Sequence, residues 1–249
     1  MEESFARVET KYLLSAAQAA AMEAGLLRRG FRRSDFGSPR VQSLYYDTED
    51  FALIRASLER PEYKEKLRLR AYGEPGTLSA SFLEIKKKYR GVVYKRRTAL
   101  PLQEAVNGLL FGRLPESAGQ VGREILWMNR RYDLRPASVI SYDRDAWFSA
   151  EEPGVRITFD RNLAFRDWAL DLNDRTPGIL LIPGAQRLME IKTGGFLPLW
   201  LAGLLRETAV RRVHFSKYGL AYQRYIRPER EQKEREDAEC SAVSLSMGA

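Results

Sequence analysis

The stretch EYKEKLRLRAY, residues 62–72, has a basic side chain at every second position, with Leu67 and Leu69 in two of the gaps. The basic side chains are Lys64, Lys66, Arg68 and Arg70. Because successive side chains of a β-strand point to opposite faces, the pattern predicts a strand with one apolar and one basic face. If the leucines face inward, the strand is half-buried with a solvated charged side. If the basic residues face inward, the protein encloses a positive cavity that needs a large anionic ligand.

The composition is that of a globular protein with an anionic partner. The 249 residues are 44% hydrophobic and carry a net charge of +8, which suits nucleic acid, an anionic membrane surface or a small polyphosphate. One cysteine, Cys240, and one histidine, His214, exclude an internal disulfide and a Cys/His zinc site. No signal peptide is visible, and the most apolar segment, residues 194–205, is about half the roughly 20 residues that cross a bilayer. We therefore expect a cytoplasmic protein.

The chain divides into one domain and a tail. Residues 1–226 alternate between strand patterns and amphipathic helical patterns, which predicts an α+β domain. Residues 227–249 are polar with few large apolar side chains, and we expect them to form a disordered C-terminal tail.

Charged residues recur at period 2 in several other predicted strands, with apolar residues opposite them. They include Glu9 and Lys11; Glu84, Lys86 and Lys88; Lys95 and Arg97; Tyr142 and Arg144; Arg156 and Asp160; and Glu190 and Lys192. One interpretation is a set of antiparallel sheets whose charged faces lie in water. The excess of Lys and Arg, and the supply of amphipathic helices to cover the apolar faces, favour another. This is a closed antiparallel β-barrel of about eight strands, a tunnel with a basic lumen, flanked by helices.

A lumen of this kind requires a dense anion. Clustered cations repel one another and lose hydration when they are buried, and a chain of phosphates is the ligand that matches them. The carboxylates of Glu9, Glu84 and Glu190 either form ion pairs with these cations or hold a divalent cation that bridges phosphate oxygens.

Nine short motifs resemble the polyphosphate polymerase domain, also called the VTC domain, of the triphosphate tunnel metalloenzymes (the CYTH-like superfamily). They are ETKY, SLYYDT, KLRLRAY, FLEIKKK, YKRRTAL, SYDR, VRITFD, LMEIK and FSKY, in the family's order between about residues 5 and 226. The resemblance implies a basic β-barrel tunnel. It also implies transfer of the γ-phosphate of ATP to a growing polyphosphate chain, with Mn²⁺ or Mg²⁺ as cofactor.

The resemblance also implies roles for individual residues. The expected catalytic residues are Lys11, Arg68, Arg70, Lys86, Arg144, Arg156 and Lys192. The expected substrate-binding residues are Lys66, Lys95, Arg97, His214, Ser216 and Lys217. Glu190 in LMEIK matches the family's metal-binding glutamate, and Glu9 and Glu84 are further metal candidates. His214 stands where eukaryotic relatives are expected to have lysine, which puts one phosphate contact in doubt.

Three functions remain open beside the polymerase, whose partners would be ATP, pyrophosphate or phosphate, and polyphosphate. A triphosphatase would deliver water to the γ-phosphate in the same tunnel, and a sensor would bind polyphosphate without reaction. Nucleic-acid binding would require basic residues and exposed aromatic residues on an outer surface, whereas the strand periodicity points inward. Arg130, Arg131 and Arg135 are expected to form a solvated helix surface or to dock external polyphosphate. Trp127, Trp168 and Trp200 are expected to pack in the core or between elements rather than to stack on bases.

Overall fold

A computed structural model describes residues 8–34, 39–76, 78, 80–90 and 92–246 of the chain. Their main feature is one antiparallel sheet of ten strands. The strands are β1 (Val8–Leu14), β2 (Arg32–Arg33), β3 (Arg40–Asp47), β4 (Tyr63–Tyr72), β5 (Ala80–Tyr89), β6 (Val92–Leu100), β7 (Arg135–Phe148), β8 (Val155–Arg166), β9 (Ile179–Leu180) and β10 (Arg187–Thr193). The predicted domain's first residues, 1–7, lie outside the described part.

The sheet curls on itself. Eight strands lie in the order β1-β10-β8-β7-β3-β4-β5-β6, and β2 and β9 pair with β7 and β8. In a flat sheet the six steps from β1 to β5 would span about 29 Å. Burial is the main cause that lowers the pKa of Lys86 on β5. The charge that acts most strongly in the opposite direction is Glu9 on β1. Because charges that far apart would be screened from each other, the two walls must face one another.

The expected closure of the barrel is seen only in part. Within the described residues, no backbone pairing joins β1 to β6, so the sheet is a half-barrel with two edges. The β6 edge carries Lys95, Arg96 and Arg97, whose side chains are all exposed. Charged side chains on an edge strand oppose pairing with another strand, which agrees with the open arrangement.

The orientation of β4 answers the question that its sequence raises. Leu67 and Leu69 are fully buried in an apolar cluster outside the sheet, whereas Arg68 lies on the opposite, concave face. The basic residues of the stretch therefore face inward, as the tunnel interpretation predicts.

Helices cover the apolar outer face and one end of the concave face. They are α1 (Ala16–Arg28), α2 (Ala52–Leu58), α3 (Leu102–Phe111), α4 (Gly119–Tyr132), α5 (Leu199–Glu207), α6 (Lys217–Ala221) and α7 (Arg227–Ser246), with a 3₁₀ turn at Glu116–Ala118 and a π-helical segment at Tyr222–Ile226. Residues of α3 and α4 pack outside β4 and β5, and residues of α1 and α5 pack outside β8 and β10. Residues of α2, α6 and the π-helical segment pack against concave-face side chains such as Tyr45 and Tyr142. The rest of the concave face is left to charged residues.

Two N-caps fix where important helices begin. The Ser15 side chain accepts a hydrogen bond from the backbone N–H of Gln18, and the Gln18 side chain accepts one from the backbone N–H of Ser15, so α1 opens with a capping box. Ser216 accepts from the backbone N–H of Gly219 and opens α6. Lys217 is therefore the first residue of a helix that points at the sheet.

The C-terminal segment differs from the prediction of disorder, because residues 227–246 continue as α7. Ion pairs between residues one turn apart, Arg227–Glu231 and Lys233–Glu229, stabilise this polar helix. A prediction of disorder from composition does not take such pairs into account. Of the part of the chain that the structure describes, no helix has the length and apolar content needed to span a bilayer.

Leu69→Ala should lower the free energy of unfolding by about 2–5 kcal/mol, because it leaves a cavity under α3 and α4. Val93→Ala, at a side chain of β6 that is 48% exposed, is the matched control and should change it by less than about 0.5 kcal/mol. Urea denaturation measures both. Equal effects would mean that the leucine face of β4 is not the packed face.

Candidate functional site

Lys217 brings two carboxylates of neighbouring strands together. Its Nζ lies 2.7 Å from Oδ2 of Asp160 on β8 and 2.7 Å from Oε1 of Glu190 on β10. Although burial alone would lower the pKa of Lys217, the two carboxylates outweigh it and raise that pKa above its ordinary value. The group therefore stays an ammonium ion that ties α6 to the sheet.

Arg144 completes this cluster from β7. Its guanidinium makes a two-pronged contact with Asp160, with Nε to Oδ1 at 2.6 Å and Nη2 to Oδ2 at 2.7 Å. The same Nη2 lies 3.4 Å from Oε2 of Glu190. Burial would raise the pKa of Glu190, but Lys217, Arg144 and Lys11 hold it well below its usual range. Glu190 is therefore ionised at neutral pH.

A second cluster surrounds Glu84 on β5. Arg68 Nε lies 2.6 Å from its Oε2, and Lys95 Nζ lies 2.6 Å from its Oε1. Arg70 Nε approaches the same Oε2 at 4.0 Å. Burial acts to raise the pKa of Glu84, but these cations lower it to about 2. Of the two roles left open for this carboxylate, the structure shows the ion pair.

Tyr45 and Lys66 lie beside the second cluster and have shifted pKa values. The Tyr45 hydroxyl accepts a hydrogen bond from Arg68 Nη1 at 3.3 Å, and its ring stacks on Tyr218 at 4.6 Å. Burial would raise the pKa of the Tyr45 phenol, but Arg68 and Lys66 outweigh burial and lower it to about 8. Burial, with like charges nearby, lowers the pKa of Lys66 to about 8. The surrounding positive charge thus helps to lower the pKa of both side chains.

The sheet register places the other predicted cations on the concave face. Across one wall, Glu9 lies opposite Lys192 and Lys192 opposite Arg156, while Lys11 lies opposite Glu190. Lys11 Nζ is 3.3 Å from Glu9 and donates a 3.0 Å hydrogen bond to the backbone oxygen of Phe215. This wall thus ends in two cations, Arg156, which is exposed, and Lys192, which is half-buried.

On the facing wall, two rows of cross-strand neighbours continue the pattern. Arg68 lies opposite Glu84 and Glu84 opposite Arg97, while Lys66, Lys86 and Lys95 form the next row. Arg97 also lies over the ring of Phe82, 4.7 Å from its centre. Eleven of the predicted site cations lie on the concave face: Lys11, Lys66, Arg68, Arg70, Lys86, Lys95, Arg97, Arg144, Arg156, Lys192 and Lys217. They face four carboxylates, Glu9, Glu84, Asp160 and Glu190, which leaves an excess of seven positive charges among these named residues.

Two other predicted site residues, Ser216 and His214, lie at the edge of the concave face or outside the two clusters. Ser216 caps α6 and lies 3.5 Å from Lys66 Nζ, at the edge of the same face. His214 is exposed in the segment before α6. Asp160 is the main addition to the predicted set. Its period-2 spacing from Arg156 indicated the face, but its role depends on Lys217, which is distant in sequence and gives no local signal.

The three predicted metal carboxylates do not form one group. Glu84 pairs with Arg68 and Lys95, whereas Glu9 and Glu190 lie on the β1–β10 wall. Within the described ranges, no three acidic, His or Cys side chains are placed to hold a metal by themselves. Asp160 and Glu190 lie on neighbouring strands, and Mg²⁺ commonly takes one or two carboxylates and completes its shell with phosphate oxygens and water. Their oxygens contact Lys217 and Arg144 in this structure, so a divalent cation would share the two carboxylates with these side chains. Between the two carboxylates on the same face, Thr158 has a buried hydroxyl without a protein hydrogen-bond partner.

Solved structures share the fold of the curled sheet and its helices. One is a candidate adenylate cyclase of Bacillus halodurans, 17% identical, with a TM-score of 0.54 over 88% of this chain and 96% of that chain. Another is a candidate adenylyl cyclase of Hippeastrum, described as having a dominant triphosphatase activity. It is 16% identical, with a TM-score of 0.53 over 86% of this chain and 94% of that chain. At these identities the likeness shows the fold alone.

The family follows from the sequence profile of the VTC domain, which matches residues 6–226. The chain belongs to the VTC domain family. Curated protein sequences give no match.

Glu84→Gln should remove stability at neutral pH and little at acid pH. The pKa of Glu84 in the folded protein, about 2, is below the ordinary 4.5, so its ionised form stabilises the fold above about pH 4.5. That contribution is lost as pH falls toward 2. The difference in unfolding free energy between wild type and variant should be about 3 kcal/mol at pH 6 and shrink steadily toward pH 3, measured by urea denaturation.

The matched control is Glu62→Gln, which removes the exposed ion pair with Arg90. Its effect should stay below about 1 kcal/mol throughout, since solvent screens such pairs. A difference for Glu84→Gln that does not change with pH would contradict the ion-paired assignment.

Proposed function

We propose that the protein is an ATP-dependent polyphosphate polymerase. It would transfer the γ-phosphoryl group of ATP to the end of a polyphosphate chain held on the concave face. The observation that carries the proposal is the excess of cations on that face in a chain of the VTC domain family. Partners would be ATP, phosphate or pyrophosphate as primer, and polyphosphate, in the cytoplasm.

The rows of cations provide what phosphoryl transfer mainly requires, which is positioning and charge stabilisation. In the proposed step, a terminal phosphate oxygen of the acceptor bonds to the γ-phosphorus while the bond from that phosphorus to the β–γ bridging oxygen breaks. ADP leaves with the bridging oxygen, and the acceptor grows by one phosphate. Because the attacking oxygen is already anionic, no strong general base is needed.

The two walls suit different parts of the substrate. Arg68 and Arg70 are fixed beside Glu84, and their free N–H groups match phosphate oxygens with the planar geometry of guanidinium. Arg156 and Lys192, at the exposed end of the other wall, would hold the growing chain. Lys66, with a pKa of about 8, would be held fully protonated by a bound phosphate because an adjacent anion raises that pKa.

A divalent cation would bind at Asp160 and Glu190. When bound, Mn²⁺ or Mg²⁺ would offset the negative charge of the phosphates. Lys217 and Arg144 contact the same carboxylates, so these two residues orient the carboxylates and set the positive field around them. Their remaining N–H groups would donate to phosphate oxygens at the centre of the face.

A triphosphatase is the second candidate, favoured by the fold shared with the Hippeastrum protein described as a triphosphatase. Water would then replace the phosphate acceptor on the same cationic face. A polyphosphate sensor would bind the same ligands without turnover. The three functions differ in their products.

With ATP, Mn²⁺ and a trace of pyrophosphate, the purified protein should form phosphate chains and an equal amount of ADP, resolved by gel electrophoresis and phosphorus NMR. Arg156→Gln should lower kcat/KM by about tenfold to a hundredfold, because it removes a proposed phosphate contact. Arg156 makes no ion pair with the described carboxylates, so its loss should affect binding more than folding. Glu190→Gln should abolish turnover.

Arg135→Gln is the matched control, since Arg135 pairs with Glu49 and Asp133 on the outside of the fold. It should leave activity unchanged. Free phosphate without chains would replace the polymerase with the triphosphatase, and bound but unreacted ATP would replace both with the sensor.

A further inference from the structure

One outer surface combines exposed apolar side chains with arginines. The arginine–aromatic surface consists of Leu110 and Phe111 at the end of α3 and of Arg123, Trp127, Arg130 and Arg131 on α4. Leu110 is 72% exposed, Phe111 75% and Trp127 55%. The sequence predicted that Trp127 packs in the core or between elements, whereas more than half of this residue is exposed.

The spacing on α4 explains why Trp127 faces outward. Gly122, Ile125 and Met128 form the buried side of α4 against the sheet. Positions 123, 127, 130 and 131 follow one another at helical spacing on the opposite side. The tryptophan thus belongs to the same stripe as three arginines.

The end of α3 is fixed beside this stripe. Arg130 Nη2 donates a 2.9 Å hydrogen bond to the backbone oxygen of Gly112, and the side chain of Asn129 donates a 3.0 Å bond to the backbone oxygen of Leu109. Leu110 and Phe111 lie between these two anchor points in the chain. The apolar and basic residues therefore form one continuous surface.

The arginines of this surface keep their charge available. Within the described residues, no carboxylate lies within 4 Å of the guanidinium nitrogens of Arg123, Arg130 or Arg131. The one acid of α4, Glu124, is paired with Lys87 and Arg96 toward the sheet. Arg131 lies 5.2 Å from the centre of the Trp127 ring and makes a side-chain hydrogen bond with Tyr132, so its charge is not neutralised by a carboxylate.

We propose that the arginine–aromatic surface docks the protein on an anionic lipid membrane. Arginines would meet the lipid phosphates, while Leu110, Phe111 and Trp127 enter the boundary between headgroups and acyl chains. A polyphosphate or nucleic-acid strand would match the arginines but would leave Leu110 and Phe111 in water, so the apolar part favours the membrane. Because α3 and α4 cover the outer side of β4 and β5, docking would leave the concave face free.

Sedimentation with vesicles tests the proposal. The full chain should bind vesicles of phosphatidylcholine and phosphatidylglycerol at least tenfold more tightly than vesicles of phosphatidylcholine alone, and added salt should weaken the binding. Arg123→Gln and Arg131→Gln should each weaken it about fivefold, and Trp127→Ala about tenfold. In a Trp168→Phe background, the tryptophan fluorescence should shift to shorter wavelength on binding, and the further change Trp127→Phe should remove that shift.

The matched controls are Arg55→Gln, at an arginine of α2 that is half exposed, and Trp168→Ala, at a tryptophan that is 41% exposed. Both should bind vesicles like the wild type, and all variants should retain wild-type binding of tripolyphosphate. Equal binding to neutral vesicles, no binding to anionic vesicles, or insensitivity to the Arg123, Trp127 and Arg131 changes would each overturn the proposal. Tighter binding of a single-stranded oligonucleotide that displaces the vesicles would assign the surface to nucleic acid instead.

Discussion

The ion pairs of Lys217 with Asp160 and Glu190 hold the concave face together. Without carboxylates, a sheet face with this many Lys and Arg side chains would be destabilised by repulsion and by lost hydration. Glu84, Asp160 and Glu190 are nearly inaccessible to solvent, and each contacts at least two cations. These carboxylates fix the positions of the cations, and the remaining positive charge is available to an anionic ligand.

The two faces of the sheet divide stability from binding. The outer face is apolar and packs under α1, α3, α4 and α5, which supplies the hydrophobic energy of the fold. The concave face contributes little packing beyond the cluster under α2 and α6. Substitutions of the concave cations that lack a buried carboxylate partner, such as Arg156, therefore test binding with little effect on folding.

Much of the fold was predictable because a strand pattern of period 2 is local. The alternation in β4 gave both the strand and its inward basic face, and the same argument located Glu84, Arg144 and Lys192. Barrel closure was not predictable in this way, since pairing between β1 and β6 depends on strands that are distant in the chain. The role of Asp160 was hidden for the same reason, because its partner Lys217 comes from a helix 57 positions later.

Residues on helices were predicted less well than those on strands. Trp127 was expected in the core or between elements because tryptophan is usually buried, but Gly122, Ile125 and Met128 already fill the inner side of α4. Helix α7 was missed because its ion pairs between successive turns, not an apolar stripe, favour it. The position of Trp127 and the formation of α7 both depend on interactions among several residues, which the composition of a segment does not describe.

Lysine labelling with an amine-reactive reagent, resolved by peptide mass spectrometry, tests the central claim that the concave face binds a chain of phosphates. Tripolyphosphate should protect Lys66, Lys86, Lys95 and Lys192, while Lys87, which faces α4, and Lys233 on α7 should react as before. Lys66 should react fastest in the free protein near pH 8, because burial lowers its pKa to about 8. Protection of Lys233 or Lys87 without protection of the concave lysines would contradict the account.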